Sequence, residues 1–307
     1  TSQDFVNFVC SDALWPRFLQ FLFLAEGEDL LRFASGSVHQ TIYFPEAKAF
    51  HVCIPSLAEQ QRIVGILDES FESIAIAKAN LEQNRRNARA LFESHLQSVF
   101  TQRGEGWIET TIGAEVDLLS GFAFKSKQYT TSQESVRLLR GDNIVQGSLR
   151  WDDVKRWPAS DAADYARYQL RSGDVVIAMD RPWVKAGLKL AMISDEDLPC
   201  LLVQRTARLR TGAALDSRFL LSRIAASDFT AHVVGKLTGV GVPHISGQQI
   251  REFAFLRPPL DEQQRIANTL DCLRAETRKL EAIYQQRLHA LEALKTSILD
   301  QTFSGQL

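Results

Sequence analysis

Basic side chains recur at the turns predicted between residues 107 and 257, with aromatic residues among them. Lys and Arg neutralise phosphates, and their N–H groups can bind the edge of a guanine in the major groove. The pattern therefore predicts a surface that binds double-stranded DNA, although loop solubility is an alternative explanation for each residue. The candidate DNA-binding residues are Lys125, Lys127, Tyr129, Arg140, Arg181, Lys185, Lys189, Lys236 and His244.

Motifs that would support catalysis are missing from the sequence. It contains no Asn/Asp-Pro-Pro-aromatic motif for a flipped adenine, no glycine-rich loop for S-adenosylmethionine and no Walker A motif for nucleotide phosphates. Residues Glu46–Lys48 have the Glu-x-Lys spacing of a nuclease site, but they lack a convincing partner Asp. The cysteines at 10, 53, 200 and 272 are dispersed, so we expect neither a metal site nor a disulfide framework. These observations predict a chain that is not an enzyme.

Composition limits the class of protein and its compartment. The chain has 307 residues, of which 45% are hydrophobic and 23% are charged, which is typical of a globular protein with about two domains. Its apolar runs are too short to cross a membrane and no signal peptide precedes them, so we expect a cytoplasmic protein without a membrane partner. The net charge of −2 predicts that the isolated chain binds DNA only weakly.

A repeated segment supplies the elements that must position the basic residues. Residues Leu57–Ile63, LAEQQRI, return as Leu260–Ile266, LDEQQRI, and the correspondence continues without a gap from 55–102 to 258–305. In each copy apolar residues recur at alternating steps of four and three, which is typical of a long helix with a coiled-coil seam. Each helix of roughly 45 residues would be about 65–70 Å long.

An apolar stripe of this length must be buried, so we predict that the two helices form an antiparallel coiled coil. The intervening segment would return the chain from the end of the first helix to the start of the second. Polar Asn84 and Arg287 either fix the register or lie at the solvated edge. The predicted subunit and helix-pair interface comprises Ile63, Leu67, Ile74, Leu81, Leu91, Ile266, Leu270, Leu280, Leu291, Leu294 and Ile298. Four apolar residues outside this seam could contact a partner or equally pack on the adjacent domain: Phe71, Ile76, Phe92 and Phe100.

The segment between the helices has a sequence pattern typical of an α+β domain. Short β-branched and aromatic runs alternate with Gly, Asp and Ser. Predicted strands are Val136–Leu139, Asp174–Met179, Leu188–Ile193 and Leu201–Leu209, and Ser217–Ala226 is predicted to be helical. The predicted fold class is therefore α+β, with globular domains joined by two long helices.

Several motifs together resemble one protein family. The doubled LxEQQRI opening of a long helix is similar to the conserved regions of the specificity subunit of type I restriction-modification systems. Residues Trp107–Gly113, Leu138–Ile144, Ser172–Val176 and Pro243–Ser246 resemble its target recognition domain. The resemblance covers essentially the whole chain, because the motifs, their order along the chain and the repeat all agree with those of the family.

The resemblance implies a division into four segments. Residues 1–54 would be the C-terminal remnant of a first target recognition domain, and residues 55–106 the first conserved helix. Residues 107–257 would be a complete target recognition domain, and residues 258–307 the second conserved helix. The front of the first recognition domain is expected to be missing from this sequence. Either the sequence is part of a longer subunit, or it is a truncated form that could pair with itself or another copy to restore two domains.

The resemblance also implies a function and partners. The chain would direct two modification subunits, which are adenine methyltransferases, and restriction/translocase subunits to a bipartite DNA target. The helix pair would set the spacing of the two half-sites. This chain would hold no cofactor, since S-adenosylmethionine, ATP and Mg would belong to the partner subunits. The alternative is a truncated or regulatory scaffold that binds modification subunits without reading a full target.

Overall fold

A computed structural model describes residues 6–34, 41–184, 187–234 and 244–305. The chain divides into two compact units, unit 1 with residues 1–89 and 278–307, and unit 2 with residues 90–277. Each unit contains part of both long helices, so the units do not coincide with the four predicted segments, whose bounds stay predictions. Within the described residues, no helix combines the length and the apolarity needed to cross a bilayer.

The helices include two that are far longer than the others. Helices α3 and α8 have 45 and 44 residues, as the repeat predicts. The α-helices are α1 (Pro16–Glu26), α2 (Phe44–Lys48), α3 (Leu57–Thr101), α4 (Ile112–Glu115), α5 (Ser217–Ala225), α6 (Ser227–Val234), α7 (Gly247–Arg251) and α8 (Leu260–Phe303). Short 3-10 helices cover Gly27–Phe33, Ser126–Gln128, Ala159–Tyr168 and Asp195–Asp197.

Side chains of α3 and α8 contact each other in antiparallel order within unit 1. Lys78 pairs with Glu292, Arg85 donates a hydrogen bond to Gln285, and Arg89 lies 3.5 Å from Glu281. The partner's number on α8 falls as the number on α3 rises, which is the order of an antiparallel pair. Supercoiled knobs-into-holes packing of the two helices stays a prediction.

The seam predicted from the sequence is wrong at three positions. Leu91, Leu280 and Leu294 are 73%, 41% and 47% exposed, so they do not lie buried between the helices. The residue that follows each of these leucines in the sequence is half-buried instead. These residues are Phe92, Glu281 and Lys295. At two of these places the inner residue is charged, and a long charged side chain can cover apolar surface with its stem while its end remains in water.

The remaining predicted seam residues are buried or half-buried. Leu67 and Leu270 are fully buried, and Leu67 packs with Leu299 in the core of unit 1. The others are Ile63, Ile74, Leu81, Ile266, Leu291 and Ile298.

The apolar residues outside the predicted seam differ in their surroundings. Phe71 lies under the ammonium group of Lys295, Phe92 under the guanidinium of Arg274, and Phe100 against Phe219. Intramolecular packing therefore accounts for these three, whereas the fourth, Ile76, is exposed.

A buried glutamine closes the start of each long helix with the same set of hydrogen bonds. In unit 1, the Gln60 amide accepts from the backbone N–H of Trp15 and donates to the carbonyl oxygens of Ala13 and Pro55, at 2.8–2.9 Å. In unit 2, Gln263 makes the equivalent three bonds, to Asp216, Ala214 and Pro258, at 2.8–3.0 Å. Both glutamines are fully buried. The repeated QQR motif therefore has a structural role, because its first Gln satisfies backbone groups that water cannot reach.

Unit 2 contains the β-structure of the described chain. A four-stranded antiparallel sheet has the order β2-β10-β5-β8, and a three-stranded sheet has the order β4-β3-β9, with β3 and β9 parallel. Strands β1 and β11 form one antiparallel pair, and β6 and β7 another. The strands are β1 (Ile108–Thr111), β2 (Val116–Ser120), β3 (Val136–Leu139), β4 (Lys155–Trp157), β5 (Val175–Ala178), β6 (Trp183–Val184), β7 (Gly187–Leu188), β8 (Leu190–Met192), β9 (Cys200–Leu202), β10 (Thr206–Thr211) and β11 (Ala254–Arg257).

Both faces of the four-stranded sheet are buried. Val175 and Ile177 face a core shared with α5 and α6, whereas Val176 and Ala178 face a second core shared with β3 and β9. This arrangement explains why β5 is uniformly apolar, since a strand covered on both faces need not alternate. The α+β fold class is confirmed.

Two predicted strands are wrong, because each is divided between two sheets. The run Leu188–Ile193 contains the end of β7 at Leu188 and all of β8, Leu190–Met192, and these strands belong to different sheets. The run Leu201–Leu209 is two strands in different sheets, because β9 ends at Leu202 and β10 begins at Thr206. The residues Val203–Arg205 carry the chain from one sheet to the other. The polar pair Gln204-Arg205 inside the run is typical of a turn, but it does not show that the chain continues in a different sheet.

Candidate nucleic-acid interface

The turn between β9 and β10 is fixed by backbone hydrogen bonds to the chain that follows β2. Phe122 donates to Leu202 at 3.0 Å, and Gln204 donates to Phe122 at 2.7 Å. Gly121 makes this approach possible, since a Cβ there would lie 2.1 Å from the carbonyl oxygen of Val203. The side chains of Gln204 and Arg205 are left exposed at this turn.

The end of β5 brings an acidic group to the same place. Asp180 forms an antiparallel bridge with His244, and its carboxylate contacts both the His244 ring and the guanidinium of Arg205. The Arg205 Nη1 lies 2.5 Å from the Asp180 Oδ2. Three segments that are distant in the sequence therefore meet at one carboxylate.

A cavity of about 340 Å³ opens beside this cluster. Its charged lining residues are Arg140, Asp142, Asp180, Arg181, Lys189 and Arg205. Tyr129, Gly141, Val203 and Gln204 complete the lining. The mixture of cations, acids and an amide could bind a polar ligand that carries both negative charge and hydrogen-bonding edges.

The candidate DNA-binding residues fall into three groups. Tyr129, Arg140, Arg181 and Lys189 line the cavity, and His244 contacts it through Asp180. Lys125 and Lys127 are exposed at the 3-10 helix Ser126–Gln128 and do not line the cavity. Lys185 and Lys236 lie outside the described residues. Whether these residues contact DNA stays a prediction.

The RGDN sequence at 140–143 forms a closed turn at the cavity. Asn143 is buried, accepts from the Arg140 backbone N–H at 3.0 Å and donates to the carbonyl oxygen of Arg150 at 3.0 Å. The Arg140 side chain donates to Asp142 at 2.8 Å. Asn143 therefore holds the turn, and Arg140 presents its guanidinium to the cavity.

The pKa of Lys189, at the cavity, is lower than that of an ordinary lysine. Burial lowers the pKa of Lys189, and the charges of Arg150 and Arg181 lower it further, while Asp142 opposes them. The positive groups at this site are close enough to repel one another. A bound anion would relieve that repulsion.

Sequence reasoning missed Asp180, Gln204 and Arg205. The predicted strand Leu201–Leu209 placed Gln204 and Arg205 in its interior, although a polar pair in an otherwise apolar run was a signal for a turn. Asp180 gave no signal, because its role depends on contacts with residues that follow it by 25 and 64 positions.

Comparison with known proteins shows which proteins this chain is similar to. Residues 1–84 match the family model of the type I restriction modification DNA specificity domain. The resemblance predicted from the doubled motif is confirmed. The chain is 37% identical over 200 residues to the EcoAI specificity subunit of Escherichia coli, an alignment covering 64% of this chain and 34% of that protein.

A second specificity subunit matches over a longer stretch. It is the MjaVIII specificity subunit of Methanocaldococcus jannaschii, which is 25% identical over 267 residues, covering 83% of this chain and 61% of the relative. The chain thus spans from about a third to about three fifths of the length of these two curated relatives.

Solved structures of specificity subunits and their complexes share the fold. A chain from a study of complex assembly and conformational transition of the type I R-M system has a TM-score of 0.80 and 20% identity, covering 96% of this chain and 73% of that one. The HsdS subunit from Thermoanaerobacter tengcongensis has a TM-score of 0.59 and 20% identity, covering 96% and 72%.

Proposed function

We propose that this chain is a specificity subunit that reads a DNA sequence for a type I restriction-modification complex. It directs modification and restriction subunits to a bipartite target and performs no catalysis itself. The observation that carries the proposal is the cavity of unit 2, where Arg140, Arg181 and Lys189 surround exposed hydrogen-bonding side chains. Cations of this kind bind phosphates, and neighbouring donors can then reach base edges.

The acidic residues at the cavity favour sequence reading over indiscriminate DNA binding. Asp142 and Asp180 offset part of the positive charge, and the net charge of the whole chain is −2. Since counterion release drives nonspecific binding, such a surface gains little affinity from phosphates alone. Affinity for DNA would then depend on base contacts and on the partner subunits.

The long helices would set the distance between two half-sites. Helices of 45 and 44 residues, at 1.5 Å per residue, are about 65 Å long. A straight rod of this length keeps a fixed separation, which a flexible linker cannot do. The spacer length of the target is then a property of α3 and α8.

Exposed apolar residues on the two long helices could each contact one copy of the same partner subunit. Leu91 and Leu294 occupy equivalent positions of the repeat, and both are exposed. Two copies of one modification subunit could each cover one of them, which keeps these residues in the predicted subunit interface. S-adenosylmethionine, ATP and Mg would be held by the modification and restriction subunits, and the complex would act in the cytoplasm.

The test is to express the chain with its modification subunits in a host that lacks adenine methylation. Long-read sequencing should then reveal one split methylated motif with a fixed spacer. A catalytically inactive modification subunit is the control, and it should leave the genome unmethylated. Assembly of the complex without any methylated motif would contradict the proposal and would favour the scaffold alternative.

A further inference from the structure

Two arginines at the cavity share a costly backbone conformation. Arg181 and Arg205 have φ values of 42° and 66°, and they are the non-glycine residues with positive φ in the described chain. L-residues with side chains rarely adopt this region, and such strain is concentrated at ligand-binding sites. The strain at both positions therefore indicates that the direction of these two side chains matters.

Their surroundings differ in one respect. One carboxylate oxygen of Asp180 holds the guanidinium of Arg205, and the other contacts the ring of His244. Arg181 is exposed and has no hydrogen bond or ion pair to another described residue. One arginine is thus oriented and partly neutralised, whereas the other remains a full positive charge.

An oriented arginine is suited to a base edge. A guanidinium has five N–H donors, so a contact of Nη1 with Asp180 leaves donors on the other nitrogens. The carboxylate also removes rotamer freedom before DNA arrives, which reduces the entropy lost on binding. A phosphate contact would gain nothing from Asp180, since its negative charge repels a phosphate.

We propose that Arg205 is a specificity-determining residue that reads one guanine of the target, and that Asp180 is its positioning residue. Arg forms paired hydrogen bonds with O6 and N7 of guanine, a geometry that other bases do not offer. Arg181, by contrast, contacts a phosphate. The inference rests on the proposed function, because it assumes that unit 2 faces duplex DNA.

The test compares two identical substitutions, Arg205→Gly and Arg181→Gly. Glycine adopts positive φ freely, so neither change adds backbone strain. In complexes with modification subunits, R205G should lower the preference for guanine at one motif position by roughly 5–150-fold, the equivalent of about 1–3 kcal/mol. R181G should keep the motif, weaken binding of matched and mismatched duplexes alike, and reduce the salt dependence of binding by about one phosphate contact.

Asp180→Asn separates orientation from charge. It should weaken discrimination at the same guanine while strengthening binding to unrelated duplexes, a combination that a folding defect would not produce. A motif that keeps its guanine in R205G would overturn this assignment and leave the proposed function standing. A wild-type complex that methylates no motif at all would overturn both.

Discussion

The two units begin their long helices in the same way but differ at a corresponding position of a shorter helix. Gln60 and Gln263 close equivalent turns with equivalent hydrogen bonds. A shorter helix precedes each start, and Arg17-Phe18-Leu19 of α1 returns as Arg218-Phe219-Leu220 of α5. In this alignment the buried Leu22 of α1 corresponds to the buried Arg223 of α5. The comparison teaches that the glutamine fixes the helix start in both units, whereas a corresponding buried position elsewhere can hold an apolar or a charged side chain.

The guanidinium of Arg223 is compensated on several sides. It pairs with both carboxylate oxygens of Asp228 and lies 5.0 Å from the ring of Phe100 and 4.7 Å from that of Phe253. A buried charge is tolerated only with such partners, whereas Leu22 needs none. Unit 2 therefore has a pH-sensitive ion pair between Arg223 and Asp228, whereas unit 1 has the apolar Leu22 at the corresponding position.

The largest expected effect comes from lengthening the helices on which both units depend. Inserting four residues near Leu81, together with four near Tyr284, adds about one turn to each and nearly preserves the phase of the stripe. The added length of about 6 Å corresponds to roughly two base pairs. Methylome sequencing should show a longer spacer in the methylated motif. An unchanged spacer would exclude the role of the helices as a ruler.

Removing either buried glutamine tests whether the two helix starts are energetically equivalent. Gln60→Ala removes the partner of one backbone N–H and of two carbonyl groups, so it should cost about 3 kcal/mol of unfolding free energy. Gln263→Ala should cost about 2 kcal/mol, because the Ala214 carbonyl oxygen also accepts from Arg257. Chemical denaturation measures this cost.

The adjacent glutamines provide matched controls for that experiment. Gln61 and Gln264 are exposed, and their replacement by Ala should change stability by less than about 0.5 kcal/mol. A large cost at only one of the two buried glutamines would show that the equivalence of the helix starts is geometric but not energetic.

A smaller effect is expected from Asp228→Asn, which weakens the ion pair found in unit 2. Burial alone would raise the pKa of Asp228, but its bonds to Arg223 and to backbone N–H groups lower the pKa overall. After allowance for the partial exposure of Asp228, the change should cost about 1–2 kcal/mol near neutral pH.

The pH dependence of this cost has a definite sign. Because the pKa is lower in the folded state, the stabilisation is present above about pH 3.9, the pKa in the unfolded chain, and is lost as the pH falls through the folded value. Unfolding free energies of wild type and D228N should therefore converge in acid. A difference that stays constant from neutral to acid pH would contradict the assigned cause.

The smallest effects should come from the cations that cover an aromatic ring in each unit. Lys295→Gln removes the ammonium over Phe71, at a cost of about 0.5 kcal/mol. Arg274→Gln should cost about 1 kcal/mol, since Arg274 also hydrogen-bonds Ser222 and Asp271. Thermal unfolding monitored by circular dichroism would measure both. The reverse order of costs would show that the ring contact outweighs the hydrogen bonds.

Periodicity was sufficient to predict the long helices but not their contact face. The repeat and the four–three spacing predicted α3 and α8, because a regular apolar stripe is a local property of the chain. The same pattern misplaced Leu91, Leu280 and Leu294, which are exposed although they continue the apolar spacing. Which stripe turns inward depends on the neighbouring helix.

The sequence by itself determined the duplicated helices, the α+β character of the segment between them and several of the basic residues at the cavity. It could do so because these features depend on residue type, periodicity and local turns. Only the tertiary structure decided that Asp180, Arg205 and His244 meet, and that Val203–Arg205 changes sheets. Such contacts join residues that are far apart in the chain, and no local pattern encodes their distance.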